Sequence, residues 1–461
     1  MFRLIQSLDA SLRKINIRYL GIGLLIAWVY CTWCSGNQAI ASETLIASLI
    51  CSALGLIVLV MRPKKRTPIS FTSAFGASVI MSITTLLFSF SDLMFVCLTA
   101  AAIGGLASSV LWIAWGELFC QIDQEAAESC IPASLLVFIC AGGAVLLLPA
   151  AIGSVVSSSL PAISCILLLL GRCEQPADFS FPQPALPFRS ILPALVKLAF
   201  CSMVCSVAAG FVMASLSPTN PISGSDNQLP FYLCGGAIAA CISLVAISHT
   251  SKMNFSLLYE WVIPLIVFAL SLCIAGEAEH RVIAAILTCT ASLCTDVLFY
   301  AIFARITSQR FCLPSEAFGL FRAFAQVGFL IGGASGSTMA SQQANLTHIY
   351  LLLICICVVI LPLFLHLQKR FETPQPTMHA SEKANATQQP DAITQITEEF
   401  KLSNRESEVL GYLARGRSVP YMREAMVLSK STIETHIKHI YAKTEVHSKQ
   451  ELIDLIESRQ H

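Results

Sequence analysis

Apolar residues run in long blocks through the first 370 residues of the chain. Twelve such blocks lie near 18–36, 44–61, 70–90, 93–115, 130–152, 154–171, 191–215, 230–248, 257–275, 282–304, 316–340 and 349–367. A helix needs about 20 mostly apolar residues to cross a bilayer. Inside lipid the backbone must satisfy its own hydrogen bonds, so each block predicts a transmembrane helix. The pattern changes at residue 371. Residues 371–394 are polar and carry Pro374, Pro376 and Pro390, which predicts a flexible tether. From residue 395 apolar positions recur at helical spacing: Val409, Leu410 and Leu413, then Ile433, Ile437 and Ile440, then Leu452, Leu455 and Ile456. Ser403 to Glu406 and Ser448 to Glu451 form capping boxes that open two of these helices, and Gly416 closes the first. With the turn Val427-Leu428-Ser429 ahead of the third, four short helices make a helix-turn-helix layout.

Charge sharpens this division. Only 12% of the 461 residues are charged and mean hydropathy is +0.70, against about 25% charged in an ordinary soluble domain. Residues 1–370 hold 18 Lys/Arg and 15 Asp/Glu, whereas residues 395–461 hold 10 of each in a far shorter stretch. The first region is too poor in polar surface to be a soluble enzyme, and the second is too charged to span a membrane. With the N-terminus inside, the inner segments carry 15 Lys/Arg and the outer loops only Arg281. That bias predicts a multi-pass protein of the cytoplasmic membrane with both termini cytoplasmic. The first block is long and followed by further spans, which argues against a cleaved signal peptide. The connection 172–190, with four prolines, divides the spans into halves 18–171 and 191–367.

Ionisable residues inside spans are costly and face a partner or a cavity. Asp296 and Arg322 fall at similar depth on spans 10 and 11, which predicts an ion pair. That pair reads either as a structural lock or as a binding or proton-coupling site. Lys197 and Glu260 lie near enough to the surface to snorkel. Among the aromatics, Trp28, Trp112 and Tyr300 are cavity candidates, while Trp33, Trp115 and Glu117 sit near span ends and read as interfacial anchors. The 19 cysteines lie mostly in apolar runs and read as small hydrophobes, Cys31 and Cys34 included despite their redox-like spacing. Gly-Gly pairs at 104–105, 142–143, 235–236 and 332–333 let helices approach closely in lipid.

Twelve spans split six and six with both ends inside resemble the major facilitator superfamily. That resemblance implies that spans 2, 5, 8 and 11 line the interface between halves and that spans 1, 4, 7 and 10 line a central cavity. The loop Met61 to Arg66 departs from the family's motif, having neither Gly nor Asp. The C-terminal residues carry a second resemblance. Leu402-Ser-Asn-Arg-Glu-Ser-Glu-Val-Leu410 with Leu413-Ala-Arg-Gly416, then Leu428-Ser-Lys-Ser-Thr-Ile-Glu-Thr-His-Ile-Lys438 and Val446 to Leu452, are similar to LuxR-type DNA-binding domains. Arg423 stands where that family often has Ala.

An all-α protein is therefore expected: a twelve-helix membrane domain over residues 1–370, a linker over 371–394, and a four-helix LuxR-type domain over 395–461. A recognition helix meets base edges with its early residues. Here these are Lys430, Ser431, Thr432, Glu434, Thr435 and Lys438, with Ser418 and Lys443 as further contacts. Glu434 suits a cytosine amino group, Lys438 suits guanine or phosphate, and Lys443 suits phosphate. His436 has no cysteine nearby to make a metal site. The domain's zero net charge leaves a protein-binding bundle as the rival reading. The resemblance implies a dimer contact through Leu452, Leu455 or Ile456 on the fourth helix. The expected partners are double-stranded DNA, membrane lipid, a small-molecule ligand and a second copy. No cofactor and no catalytic site is expected. The function expected is a membrane-bound transcriptional regulator whose spans sense a signal; the alternatives are a transporter with a regulatory domain and a plain membrane anchor.

Overall fold

The computed structural model describes residues 15–33, 38–62, 67–175, 179–184, 187–216, 228–250, 255–275, 277–341, 346–372, 395–414, 426, 430–444, 446, 451–452 and 455. Among these residues there are helices and turns and no strand. The chain divides into two compact units, Met1–Thr373 and Pro374–His461.

In the first unit a short turn of 3-10 helix, Ile17–Tyr19, leads into α1 (Ile22–Trp33), α2 (Gln38–Met61), α3 (Phe71–Phe90), α4 (Met94–Gln121), α5 (Gln124–Leu147) and α6 (Ala150–Arg172). Then follow α7 (Phe188–Leu216), α8 (Leu229–Thr250), α9 (Phe255–Ala275), α10 (Ala278–Ser308), α11 (Pro314–Ser341) and α12 (Thr347–Glu372). Eight helices are long and apolar enough to cross a membrane among the described residues; the shorter apolar stretches are Ile22–Trp33, Leu229–Val245, Trp261–Ala275 and Thr347–Ile360. Large apolar side chains such as Val58, Phe95, Leu106, Phe268 and Val359 stand exposed on their outer faces. A surface of that kind is stable against lipid and not against water.

Local chemistry sets the helix ends. The Asp123 carboxylate accepts from the amides of Glu125 and Ala126 and opens α5. The end of α5 departs from the hydrophobic pattern, which predicts a span reaching residue 152. The helix stops at Leu147, and Pro149 stands at the head of α6. A proline has no N–H for the carbonyl four residues back; α5 runs through Pro132 and α6 through Pro161 all the same, so Pro149 marks the break without being sufficient for it.

Glycines show where backbones meet. A Cβ added at Gly23 of α1 would lie 2.0 Å from the Ser134 carbonyl oxygen of α5, and one at Gly332 of α11 would lie 2.1 Å from that of Val207 on α7. Likewise Gly105 of α4 abuts the Ser48 carbonyl of α2 at 2.3 Å, and Gly235 of α8 abuts Cys289 of α10 at 2.7 Å. The pairs α1/α5 and α7/α11 are six helices apart, as are α2/α4 and α8/α10. The same close approaches thus recur within α1–α6 and within α7–α12, which are called the first and second halves below. The halves meet where Gln326 of α11 donates to Ser52 of α2 at 3.0 Å, and where Gly236 of α8 packs on Phe138 of α5. An ion pair also joins them, Arg305 of α10 to Glu128 of α5 at 2.8 Å.

The second unit contains a helical turn at 395–399, α13 (Asn404–Ala414) and α14 (Lys430–Thr444). Its core is Ile396, Leu402, Val409, Leu410, Leu413, Ile433, Ile440, Val446 and Leu452.

Candidate functional site

Four of the five residues nominated in the membrane unit come together. Arg322 Nη1 donates to Asp296 Oδ1 at 2.8 Å, joining α11 to α10. The Arg322 guanidinium lies 3.9 Å from the centroid of the Trp112 ring on α4, a cation–π contact strengthened by the dry surroundings. Tyr300 packs beside Trp112, with centroids 6.5 Å apart, and its hydroxyl donates to the Trp112 carbonyl at 3.4 Å. Trp112 and Tyr300 are buried, whereas the Arg322 and Asp296 side chains keep 13% and 16% of their surface accessible. α4 belongs to the first half and α10 and α11 to the second, so the constellation bridges the halves. Below the tyrosine, Phe318, Phe321, Phe299 and Phe303 form a packed aromatic layer, with Phe299 and Phe321 stacked at 5.0 Å. Trp28 takes another place: its indole N–H donates to Thr85 of α3 at 2.8 Å, and it lines a cleft with Thr32, Trp33, Ser48, Phe88 and Gly104.

Two expected anchors are not at an interface. Trp115 is fully buried and its indole donates to Ser164 at 3.0 Å, while Ser164 donates in turn to the Gly21 carbonyl. Glu117 is buried and accepts from Arg172 of α6 at 2.9 Å and from the Ile69 amide at 2.8 Å. Arg172 also donates to the Ile69 carbonyl at 2.6 Å, which ties the segment before α3 to α4 and α6. Proximity to a span end does not separate an anchor from a buried network; only the partner does. Gln326 was missed as well. Its place one turn after Arg322 is the signal that would have found it. Lys197 is exposed on α7, while the side chain of Glu260 and the whole of Cys34 lie outside the described residues.

In the second unit the capping box forms: the Ser403 amide donates to Glu406 Oε2 at 2.7 Å and the Glu406 amide to Ser403 Oγ at 3.3 Å. On α14, Ile433 and Ile440 are buried, while Glu434, Thr435 and Lys438 are exposed and Thr432 is half-buried. Ser418, the side chains of Lys430 and Ser431, most of the second and fourth helices and Ile456 lie outside the described residues. Two expectations need revision. Lys443 is exposed but its ammonium is already engaged: it donates to Glu406 at 2.7 Å and to the Lys401 carbonyl at 3.2 Å. The buried carboxylate needs a cation, and Lys443 supplies it. Leu452 is fully buried in this unit's own core, and Leu455 packs half-buried against it. Leu452 is therefore spent inside the unit and offers no surface to a second copy. Burial alone would raise the Glu406 carboxyl, but Lys443 and the two Ser403 hydrogen bonds outweigh it and hold it at about 2.

Residues 401–456 match the luxR family of bacterial regulatory proteins (GerE). This LuxR-type helix-turn-helix unit is 44% identical over 62 residues to the Fimbriae Z protein of Salmonella typhimurium, covering 13% of this chain and 30% of that protein. It is 36% identical over 78 residues to the Fimbriae Z protein of Escherichia coli K12, covering 17% of this chain and 37% of that one. The chain thus spans about a third of the length of these curated relatives. The membrane unit is similar in fold to the human organic anion transporter MFSD10 (TETRAN), with TM-score 0.50 and 13% identity over 78% of this chain and 99% of the transporter. A LuxR-type helix-turn-helix unit and a unit of apolar helices that shares the fold of a solved transporter therefore lie in one chain.

Proposed function

We propose that this protein is a membrane-bound transcriptional regulator in which the LuxR-type unit reads double-stranded DNA and the membrane unit senses a small molecule. The match of residues 401–456 to luxR-family regulators carries this reading. The exposed row Glu434, Thr435 and Lys438 on α14, opposite the buried Ile433 and Ile440, supports it. In this reading the twelve helices all span the cytoplasmic membrane, and residues 371–394 tether the DNA-binding unit to it. Two units held at one membrane have a raised effective concentration for adjacent half-sites, which is how the membrane unit would control binding.

DNA selected from a random pool by residues 395–461 provides the test. Glu434→Ala is expected to change which sequences are selected. Lys438→Ala is expected to weaken binding and to reduce the slope of log affinity against log salt by about one if it neutralises a phosphate. Absence of any DNA affinity above that of a scrambled-charge control would sink the reading. Orientation is tested separately. Reporter fusions after Arg66, Arg189 and Arg370 should report cytoplasm, and fusions after Asn220 and Gln343 the outside; one inverted result breaks the twelve-span arrangement.

The fold shared with an organic anion transporter supports a second reading, in which the membrane unit transports and the LuxR-type unit regulates. Uptake of solute by vesicles carrying the protein would favour it. Regulation unchanged by deleting residues 1–370 would reduce the membrane unit to an anchor.

A further inference from the structure

We propose that the Asp296–Arg322 pair is the recognition element for a small zwitterion of the α-amino-acid class. This rests on the sensing role assigned above to the membrane unit and adds the chemistry of what is sensed. The first observation is accessibility. Both side chains are on faces of α10 and α11 opposite the exposed apolar residues Ile283 and Ile331, yet they keep 16% and 13% of their surface open. On the Arg322 face of α11, eleven residues further along, a Cβ added at Gly333 would meet nothing within 4 Å. At 3.6 residues per turn, eleven residues is about three turns, so Gly333 lies on the same face as Arg322, about 16 Å further along the helix.

The second observation is incomplete bonding. Arg322 uses Nη1 for Asp296, and its Nε has no hydrogen-bond partner. Gln326, nine-tenths buried and one turn away, gives its amide N–H to Ser52 and leaves Oε1 without a partner. A buried donor and a buried acceptor left unmade are costly, and a ligand bearing both kinds of group would relieve them. The walls are aromatic: Trp112 under the guanidinium and Tyr300 beside it. Trp112 comes from the first half and Tyr300 and the ion pair from the second. An occupant would therefore touch both halves and change how they hold together.

Charge balance then selects the ligand. The pair is neutral as a unit. A lone anion on Arg322, or a lone cation on Asp296, would leave one net charge buried in a medium that penalises it heavily. A zwitterion avoids this. Its carboxylate takes the Arg322 fork and its ammonium takes the Asp296 carboxylate, so one ion pair is exchanged for two with no charge left over. A side chain on such a ligand would rest on the aromatic walls.

The experiment uses the full chain in lipid nanodiscs. Its thermal stability is followed with each of the twenty proteinogenic amino acids, and any that stabilises is compared with its decarboxylated amine and its deaminated acid. At least one amino acid should stabilise, and its affinity should exceed that of both analogues by about 10- to 100-fold, the worth of one charged hydrogen bond. Asp296→Asn leaves the site one charge positive. It should lower affinity for the zwitterion at least about tenfold and raise the deaminated acid to match or exceed it. No stabilisation by any amino acid, equal binding of the singly charged analogues, or an unchanged preference in Asp296→Asn would each overturn the proposal. Because ligand binding is read without DNA, failure here leaves the DNA-binding result standing, and the reverse holds.

Discussion

Arg322→Ala and Asp296→Ala are each expected to destabilise the membrane unit by about 3–5 kcal/mol, whereas the double substitution costs less than the worse single one. The reason is desolvation. The two groups lie 2.8 Å apart and are 13% and 16% accessible, so removal of one strands the other in a poorly solvated place. Arg322 has a second support in the Trp112 ring at 3.9 Å, which Asp296 lacks. Arg322 stranded by loss of Asp296 therefore keeps one contact, and Asp296→Ala should be the milder single change. Thermal unfolding of the four proteins in one detergent completes the cycle. Additive effects would mean that the pair contributes no coupling, and its role would shift to the separate contacts of each residue.

Lys443→Ala should lower the stability of residues 395–461 by about 1–2 kcal/mol. A hydrogen bond to a buried charge is worth roughly 1.5–3 kcal/mol, reduced here because Lys443 is 40% exposed. In a domain of this size each kcal/mol lowers Tm by about 4–8 °C. The same network makes stability depend on acid. Glu406 is held at about 2 in the folded unit against an ordinary value of 4.5. Its contribution is fully present above pH 4.5 and is lost as pH falls toward 2. Glu406→Gln should flatten the loss of Tm across that window. Any weakening of DNA binding in Lys443→Ala should then track the loss of folded protein and leave the salt dependence unchanged. A reduced salt slope at undiminished stability would instead restore Lys443 to the phosphate backbone.

Much of this protein was legible without coordinates because it obeys two strong periodicities. Lipid demands apolar blocks of spanning length, and a small helical unit demands apolar positions at three- and four-residue spacing. The Asp296–Arg322 pair was legible for a related reason: two helices joined by a short turn run antiparallel, so equal distances from that turn mean equal depth. The capping box at Ser403 and Glu406 is local chemistry and formed as written. What required the tertiary structure was the partner of each polar group, because partners lie far apart in sequence. Glu117 meets Arg172 and Glu128 meets Arg305 across separations no local pattern spans. Lys443 looked like a phosphate contact because its outward place on a basic helix was all the sequence displayed, and the carboxylate that claims it sits on another helix. Leu452 shows the same limit for apolar residues. An amphipathic helix presents an apolar face, but only packing decides whether that face is spent on the unit's own core or left for a second copy.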